Sequence, residues 1–185
     1  MIQVPRQIES DRLILRAFRE SDAEPLKIAI EPALPSIRPW INSANVENTV
    51  ENQHARIQRD AKEWEGGTRF SFLAIDKATG KIVGLFSVNH VDWKSKSGSL
   101  GYWLIPEYER KGLATEAAGR LVQLAKEVML LDRITLICDV ENARSANVAK
   151  RLGFVYEGTL RKGYLGPSGL VDTMLFAVVR GYDYE

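Results

Sequence analysis

The chain contains 185 residues, and 45% of them are hydrophobic, which is enough to build one substantial core. Its 25 basic and 24 acidic residues give a formal net charge of +1, which excludes a general electrostatic attraction to nucleic acid or to an anionic membrane. The sequence contains no apolar run of about 18 residues, no low-complexity tract and no repeat. We therefore expect residues 1–185 to form one cytoplasmic domain that acts on a small molecule or a protein.

Hydrophobic periodicity predicts strands and helices in alternation along the chain. In the first half we expect a strand at residues 13–18, a helix from residue 21 onward, a second helix at 46–65, and two further strands at 70–76 and 81–91. In the second half we expect a strand at residues 99–105, a helix at 113–130, a strand at 134–140, a helix at 143–152, and two last strands at 154–158 and 171–178. This order predicts a mixed α/β layer arrangement.

A glycine joins one of these strands almost directly to the longest helix. The strand ends at Pro106, and the helix begins just after Gly112. The first turn of a helix leaves backbone N–H groups unpaired and carries the positive end of the helix dipole. We therefore expect a phosphate or pyrophosphate to bind at Arg110, Lys111, Gly112, Leu113, Ala114 and Thr115. A Gly112→Val substitution should block this site without changing the stability of the ligand-free protein.

A second motif follows the next predicted strand, residues 134–140. The apolar face of this strand includes Cys138. Asn142 is predicted to cap a short helix that ends at Gly153. Cys138 is the only cysteine, so no disulfide can form within the chain, and we expect a buried packing role for its side chain.

Together the two motifs resemble the GNAT superfamily of acetyl-CoA-dependent N-acetyltransferases. The family pattern Gln/Arg-x-x-Gly-x-Gly/Ala corresponds to Glu109-Arg-Lys-Gly-Leu-Ala114. The second pattern corresponds to Asn142, Ser145, Val148, Gly153 and Phe154. The resemblance implies the GNAT fold, an α/β fold in which a mixed, mostly antiparallel sheet has splayed central strands and helices on both faces. Acetyl-CoA would be the cosubstrate, with pantetheine in the splayed gap beside Trp103, Leu104, Ile105 and Asn142.

The likeness extends to the branch that acetylates the N-termini of ribosomal proteins. The segments that carry it are Ser10-Asp-Arg-Leu-Ile-Leu-Arg16, Arg38-Pro-Trp40, Gly101-Tyr-Trp-Leu104, Ala114-Thr-Glu-Ala117 and Glu157-Gly-Thr-Leu-Arg161. This implies a protein N-terminal α-amine as the acceptor. A small amine, such as an aminoglycoside, a polyamine or an amino-acid derivative, stays open as the acceptor. A binding module that holds acyl-CoA as a sensor without turnover, and a homodimer, also stay open.

Ser145 is the catalytic residue that the resemblance implies. Many family members carry a tyrosine seven residues after the asparagine, as the general acid for the departing thiolate, but this chain has Ala149 there. The ribosomal-protein branch offers the serine three residues after the asparagine, which is Ser145, although a helix-cap role stays open. The backbone N–H of Leu104 or its neighbour would polarise the thioester carbonyl.

The acceptor side is less sharply defined by the sequence. Trp40 and Tyr164 are expected to form opposite walls of the acceptor cleft, with core packing as the alternative for Trp40. His90 is a further candidate acceptor contact, but it continues an alternating apolar strand face, which favours a packed structural histidine. No metal site is expected.

The general base stays open among Glu107, His90, Asp92 and Glu116. Glu116 falls in the first turn of the long helix, where the dipole favours a carboxylate and no catalytic reason is needed. A base acting through water fits equally well, as does simple loss of a proton from an α-amine with a pKa of about 8.

Overall fold

A single mixed sheet organises the chain, and the computed structural model describes residues 2–166 and 169–182. Its eight strands, in chain order, are β1 Gln7–Glu9, β2 Leu13–Arg16, β3 Phe70–Asp76, β4 Ile82–Asp92, β5 Ser97–Leu104, β6 Arg133–Asp139, β7 Val155–Gly166 and β8 Gly169–Val179. The helices are α1 Ala23–Ile30, α2 Leu34–Ile37, α3 Val50–Glu65, α4 Leu113–Glu127 and α5 Ala143–Arg151. Short 3₁₀ turns cover Glu20–Asp22, Glu31–Ala33, Asn42–Asn45 and Pro106–Tyr108.

The strands lie in the order β1-β2-β3-β4-β5-β6-β8-β7. Only β5 and β6 pair in parallel, and every other neighbouring pair is antiparallel. The helix α4 makes the crossover between the two parallel strands, as such a connection requires. The predicted fold class, a mixed and mostly antiparallel sheet with helices, is thereby confirmed.

The two faces of the sheet carry different helices. Ser71, Ser87 and Gly101 lie side by side across β3, β4 and β5, and the Ser71 hydroxyl donates to Asp60 of α3 at 2.7 Å. Their neighbours along the strands point the other way because side chains alternate between faces. On that second face, Tyr102 of β5 lies 3.1 Å from Ser145 of α5. One face is therefore covered by the N-terminal helices and the other by α4 and α5.

The parallel pairing of β5 with β6 is short. It ends where Leu100 lies opposite Leu136, although β5 continues to Leu104 and β6 continues to Asp139. Beyond this point the strands separate, as the resemblance implied. The Ile105 N–H donates to the Val83 carbonyl at 2.9 Å, on the β4 side. Because backbone groups alternate along an antiparallel strand, the N–H groups of Tyr102 and Leu104 point to the open side.

Several element ends differ from the sequence predictions. The helix α3 begins at Val50 rather than residue 46 because the Thr49 side chain accepts from the Asn52 N–H at 3.1 Å and caps it. The helix α4 ends at Glu127 rather than residue 130, and Leu130 has a φ of 56°, which no helix residue adopts. The strand β1 and the helix α2 were not predicted, since three or four residues carry too little periodicity.

The largest difference lies in the last two strands. The predicted strands at 154–158 and 171–178 are the inner parts of a hairpin formed by Val155–Gly166 and Gly169–Val179. The pairing changes register between Leu160 and Tyr164, so a bulge interrupts the alternation on which the prediction depended. Tyr164 consequently lies on a strand rather than in a loop.

Glu116 connects the N-terminal hairpin to the start of α4. Its carboxylate accepts from the Ser10 hydroxyl at 2.7 Å, from the Arg12 backbone N–H at 2.8 Å and from the Arg12 Nε at 2.7 Å. Burial alone would raise the pKa of this carboxyl, but these hydrogen bonds and the Arg12 charge lower it below its usual value. The structural interpretation of Glu116 thus agrees with the contacts.

Replacing this carboxylate by an amide should destabilise the protein in a pH-dependent way. A group with a lowered folded pKa stabilises above its unfolded pKa, about 4.3 for Glu, and loses that contribution as pH falls through the folded value. We expect Glu116→Gln to lower the free energy of unfolding at pH 7 by about 1–3 kcal/mol, and by much less near pH 3. Urea unfolding at both pH values measures this. Glu127→Gln, at the other end of α4, is the control, and an equal loss at both pH values would contradict the assignment.

Candidate functional site

A cavity of about 1190 Å³ opens where β5 and β6 separate. It reaches both faces of the sheet, since its walls include α2 and α3 residues from one face and α4 and α5 residues from the other. The sequence-predicted residues that line it are Trp40, His90, Trp103, Leu104, Arg110, Gly112, Ala114, Thr115, Asn142, Ser145 and Tyr164. The structure therefore places candidates from distant parts of the sequence around one cavity.

Three predicted contacts do not line this cavity, and each has a physical reason. The Ile105 N–H donates to the Val83 carbonyl and therefore points away from the gap, contrary to the expectation that this residue loses its sheet partner. The Lys111 ammonium lies 5.4 Å from the centre of the Tyr108 ring, away from the cavity. The Leu113 side chain is buried in the core, which leaves only its backbone N–H at the helix start.

The start of α4 has the conformation that an anion site needs. Gly112 is the N-cap residue, with a φ of 79°, and Arg110 has a φ of 59°, which is uncommon for a residue with a side chain. The N–H groups of the first turn have no acceptor within the helix. Arg110, Arg144 and Arg151 add positive charge to the cavity wall around this turn. Phosphate groups suit such a cradle.

An ion pair joins the two sequence motifs across this end of the cavity. The Arg144 guanidinium at the start of α5 donates to the Glu109 carboxylate at 2.5 Å. Glu109 occupies the position where many relatives have Gln or Arg, and here it positions a cavity arginine. Because the Arg144 side chain is 57% exposed, this pair contributes little to folding stability.

Tyr102, Ser145 and Cys138 meet where the two strands diverge. The Tyr102 hydroxyl lies 3.1 Å from Ser145 Oγ, and Cys138 lines the cavity beside them. Burial raises the pKa of Tyr102 to about 12, despite the hydrogen bond to Ser145. Burial also raises the pKa of the Cys138 thiol, which keeps it protonated at neutral pH. As expected, Cys138 is buried, but it also lines the cavity.

Tyr102 was not among the predicted site residues. Alternation along β5 puts it on the same face as Leu100 and Leu104, and its ring stacks on Phe86 with 5.6 Å between centroids. A buried tyrosine usually finds a partner for its hydroxyl, and this was the signal available from sequence. Asn142, by contrast, caps α5 as predicted, since its side-chain oxygen accepts from the Ser145 N–H at 3.1 Å.

His90 is exposed, so the prediction of a packed structural histidine is wrong. The pairing of β4 with β5 changes register between Asn89 and Asp92, and His90 has a φ of 49° within this bulge. A bulge re-aims the side chains that follow it, which turns the imidazole out of the core and onto the cavity wall.

Trp40 and Tyr164 lie at the mouth of the cavity on the side of the N-terminal helices. The backbone N–H of Asn42 donates to the Tyr164 hydroxyl at 3.4 Å, and the Asn42 side chain donates to the Leu165 carbonyl. The segment after α2 therefore contacts the end of β7. Trp40 is half-buried and lines the cavity rather than the core.

The carboxylates that line the cavity are engaged in other contacts. Within residues 2–166 and 169–182 they are Glu109, Glu116 and Asp139, and Asp139 accepts from the Glu141 N–H at 2.8 Å. Glu107 lies outside the cavity wall. Asp92 accepts from two N–H groups of the turn that follows β4, which lowers its pKa. Each carboxylate that lines the cavity in the described residues thus has a hydrogen-bonding partner.

Among the described residues, no group of three or more His, Cys, Asp or Glu side chains is placed to hold a metal ion. None of the described helices combines the length and apolar character needed to cross a membrane.

Comparisons with known proteins agree with this geometry. The Acetyltransferase (GNAT) domain family matches residues 12–155. The ribosomal-protein-serine acetyltransferase of Escherichia coli strain K12 is 24% identical over 168 residues, which cover 91% of this chain and 93% of that protein. The spermidine N(1)-acetyltransferase of the same strain is 35% identical over 79 residues, but this match covers only 43% of this chain and 41% of that protein.

Solved structures share the fold. The microcin C7 self-immunity acetyltransferase MccE, solved with acetyl-CoA and AMP, superposes with a TM-score of 0.89 at 24% identity. The match covers 95% of this chain and 97% of that one. At this level of identity the likeness describes the fold alone.

The left-handed backbone at Gly112 corrects the expectation for Gly112→Val. Any residue with a side chain is strained at a φ of 79°, so the ligand-free protein should lose about 1–2 kcal/mol of stability. Acetyl-CoA at a hundredfold excess over its dissociation constant should stabilise the native chain by about 2.7 kcal/mol, and this gain should vanish in the variant. Thermal unfolding with and without acetyl-CoA measures both effects.

Gly153→Val is the matched control for this experiment. Gly153 has a φ of 76° at the end of α5 and does not line the cavity. Gly153→Val should lose a similar free energy of unfolding yet keep the stabilisation by acetyl-CoA. A retained gain in Gly112→Val would place the phosphates elsewhere.

Proposed function

Because the chain belongs to the GNAT acetyltransferase family, whose members are acetyl-CoA-dependent transferases, we propose that it acetylates the N-terminal α-amine of a protein, with a ribosomal protein as acceptor. One observation carries this proposal. A single cavity links a cationic helix start on one face of the sheet to an aromatic mouth, Trp40 and Tyr164, on the other, through the gap between β5 and β6. Such a passage lets two substrates meet from opposite sides.

The cosubstrate half of the cavity supports binding of acetyl-CoA. The first turn of α4 and the surrounding arginines would hold the pyrophosphate, as they fit its charge and shape. The open edge of β5 would bind the pantetheine amides, because the backbone groups of Tyr102 and Leu104 have no strand partner there. Asn142 lines the same half and would add a side-chain contact. Acetyl-CoA supplies the activated acyl group.

The open N–H groups of β5 would also support the chemistry. When an amine attacks the thioester carbonyl, negative charge develops on its oxygen. A backbone N–H that is fixed by the β4–β5 pairing and aimed into the gap stabilises this charge without reorganising. We assign this role to Leu104 or to its neighbour Tyr102, whose N–H points the same way.

Ser145 and Tyr102 would act together on the departing sulfur. Because the pKa of Tyr102 is about 12, its phenol stays protonated at neutral pH and can donate to Ser145 Oγ. Ser145 can then direct its own proton into the cavity, toward the thiolate. A hydroxyl that accepts one hydrogen bond donates another more strongly, so Tyr102 would be a positioning residue. Ser145 would be the catalytic residue.

The acceptor amine has to lose its proton without a strong base. A free α-amine, with an unperturbed pKa of about 7.7–8.0, is appreciably neutral at pH 7.5, whereas a lysine near 10.4 is almost fully charged. The absence of a disengaged carboxylate among the described cavity residues therefore favours an α-amine. His90 or a water molecule would accept the released proton.

The choice among acceptors rests on several observations. The segments that resemble the ribosomal-protein branch, and the long match to the E. coli serine acetyltransferase, favour a ribosomal protein. A polyamine is disfavoured because arginines, Arg56 and Arg69, line the acceptor half of the cavity. The retained Ser145 argues against a sensor without turnover. A ribosomal acceptor also favours the cytoplasm as the location.

Ser145→Ala should reduce kcat by about 10²-fold, while the dissociation constant of acetyl-CoA stays within about twofold. Tyr102→Phe should reduce kcat by about tenfold, and the double variant should be little worse than Ser145→Ala, since both act at one hydrogen bond. Steady-state kinetics and ligand titration measure these effects. Tyr156→Phe, which removes an exposed phenol, is the control. If the losses in kcat of the two single variants added up in the double variant, a shared role of Ser145 and Tyr102 would be contradicted.

The acceptor class can be tested by competition between peptides. We expect peptides with a free Ser or Ala N-terminus to have a kcat/KM at least about tenfold above blocked peptides that carry lysine, and above spermidine or an aminoglycoside. Mass spectrometry of the products identifies the modified amine. Preference for lysine or for a small amine would reject the α-amine assignment and leave the family assignment intact.

A further inference from the structure

A group of arginines lies against the cavity on the face opposite the α4 helix. Arg56 of α3 and Arg69, just before β3, both line the cavity, while the Asp60 carboxylate lies behind them. The Arg69 Nε donates to the Ser71 hydroxyl at 3.0 Å, and this hydroxyl donates to Asp60 at 2.7 Å. The side chain of Arg56 is only 16% exposed, so its charge is held largely out of bulk water.

The carboxylates nearby do not contact Arg56 closely. Asp60 is shared, with Arg56 Nε 3.9 Å and Arg69 Nε 3.4 Å from its oxygens. Glu63 lies 3.8 Å from Arg69. Burial, the largest effect, together with Arg69 and Arg59 lowers the pKa of Arg56 to about 10, although Asp60 acts in the opposite direction. The desolvated Arg56 cation thus has only a shared carboxylate at 3.9 Å, and a ligand carboxylate could add a closer partner.

This cationic cluster faces the reacting end of the cavity. The Arg69 guanidinium bonds Ser71, which lies in the same row across the sheet as Ser87 and Gly101. Two strand spacings separate Ser71 from Gly101, a distance of about 10 Å, and Gly101 adjoins Tyr102, at the point where β5 and β6 part. The Asn89 amide and the Ser87 hydroxyl lie against Gly101 on this face. The cluster thus lies about 10 Å across the sheet from the point where β5 and β6 part.

The side-chain amide of Asn89, on the same face of the sheet as Ser87, adds a second recognition group. Asn89 of β4 lies opposite Ser99 and lines the cavity, and its side-chain oxygen is buried without a hydrogen-bond partner among the described residues. A buried acceptor of this kind costs free energy until a donor reaches it. The N–H of an extended peptide is such a donor.

We propose that Arg56, Arg69 and Asn89 form a subsite for the first residues of an acidic N-terminus, in which the arginines bind a carboxylate at the second or third position. The proposal rests on the proposed function and names the substrate class for that site. Successive residues of an extended chain advance by about 3.3–3.6 Å, so a side-chain carboxylate at the third position, two residues along, reaches about 10 Å from the α-amine, and one at the second position reaches about 7 Å. Arginine forks bind carboxylates bidentately, which selects acid over amide.

The test compares matched peptides with a free N-terminal serine and either Asp or Asn at position 2 or at position 3. For the native chain we expect kcat/KM to be about tenfold higher for Asp than for Asn at one of these positions. In Arg69→Gln and in Arg56→Gln this ratio should fall toward one, while Arg69→Lys should keep part of it. Arg120→Gln, on the opposite face of the sheet, is the control and should keep the full ratio.

Folding and function are checked separately from this preference. Arg69 is partly exposed, so Arg69→Gln keeps the test decisive if Arg56→Gln fails to fold, and the acetyl-CoA thermal shift reports an intact cosubstrate half. Transfer to every peptide without preference for Asp, or a ratio undiminished in Arg69→Gln, would overturn the subsite alone. No transfer to any peptide, with turnover of spermidine, would overturn the proposed function and the subsite together.

Discussion

The early end of the parallel pairing between β5 and β6 is the constraint on which the site depends. Beyond Leu100 and Leu136 each strand continues with one edge unpaired, so the sheet core contains a slot lined with backbone groups. A slot of this kind is tolerated only if something else satisfies those groups. The slot therefore suits a ligand whose amide groups can hydrogen-bond as a strand does. In the proposed function, both substrates approach this same opening.

The rest of the chain stabilises the two sides of this slot. On one side, Glu116 and Arg12 fix the loop before α4 to the N-terminal hairpin, and the Arg12 guanidinium donates to the Lys111 carbonyl at 3.0 Å. On the other side, β8 pairs with β6 along its whole length. The proposed phosphate site at the start of α4 and the proposed oxyanion donors of β5 are thus held by elements outside the proposed chemistry. Such support gives a site its precision.

The sequence predicted the parts of the structure that depend on local pattern. The strand–glycine–helix junction and the Asn142 cap follow from capping rules, and both form as predicted at the edge of the cavity. The acceptor half could not be predicted in the same way. The exposure of His90 depends on a bulge, and the contact of Tyr102 with Ser145 depends on how two distant elements pack. Neither the bulge nor this packing changes the hydrophobic periodicity of the sequence, so the pattern could not reveal them.

The contacts of Asn42 with Tyr164 and Leu165 join residues separated by 122 and 123 positions. They depend on β7, an edge strand that is joined to the rest of the sheet only through its pairing with β8. Pairings of such long sequence separation form late because their loop closure is entropically costly. During synthesis the phosphate cradle can fold before the acceptor mouth exists. The nascent chain would then gain cosubstrate affinity first and acceptor selectivity last.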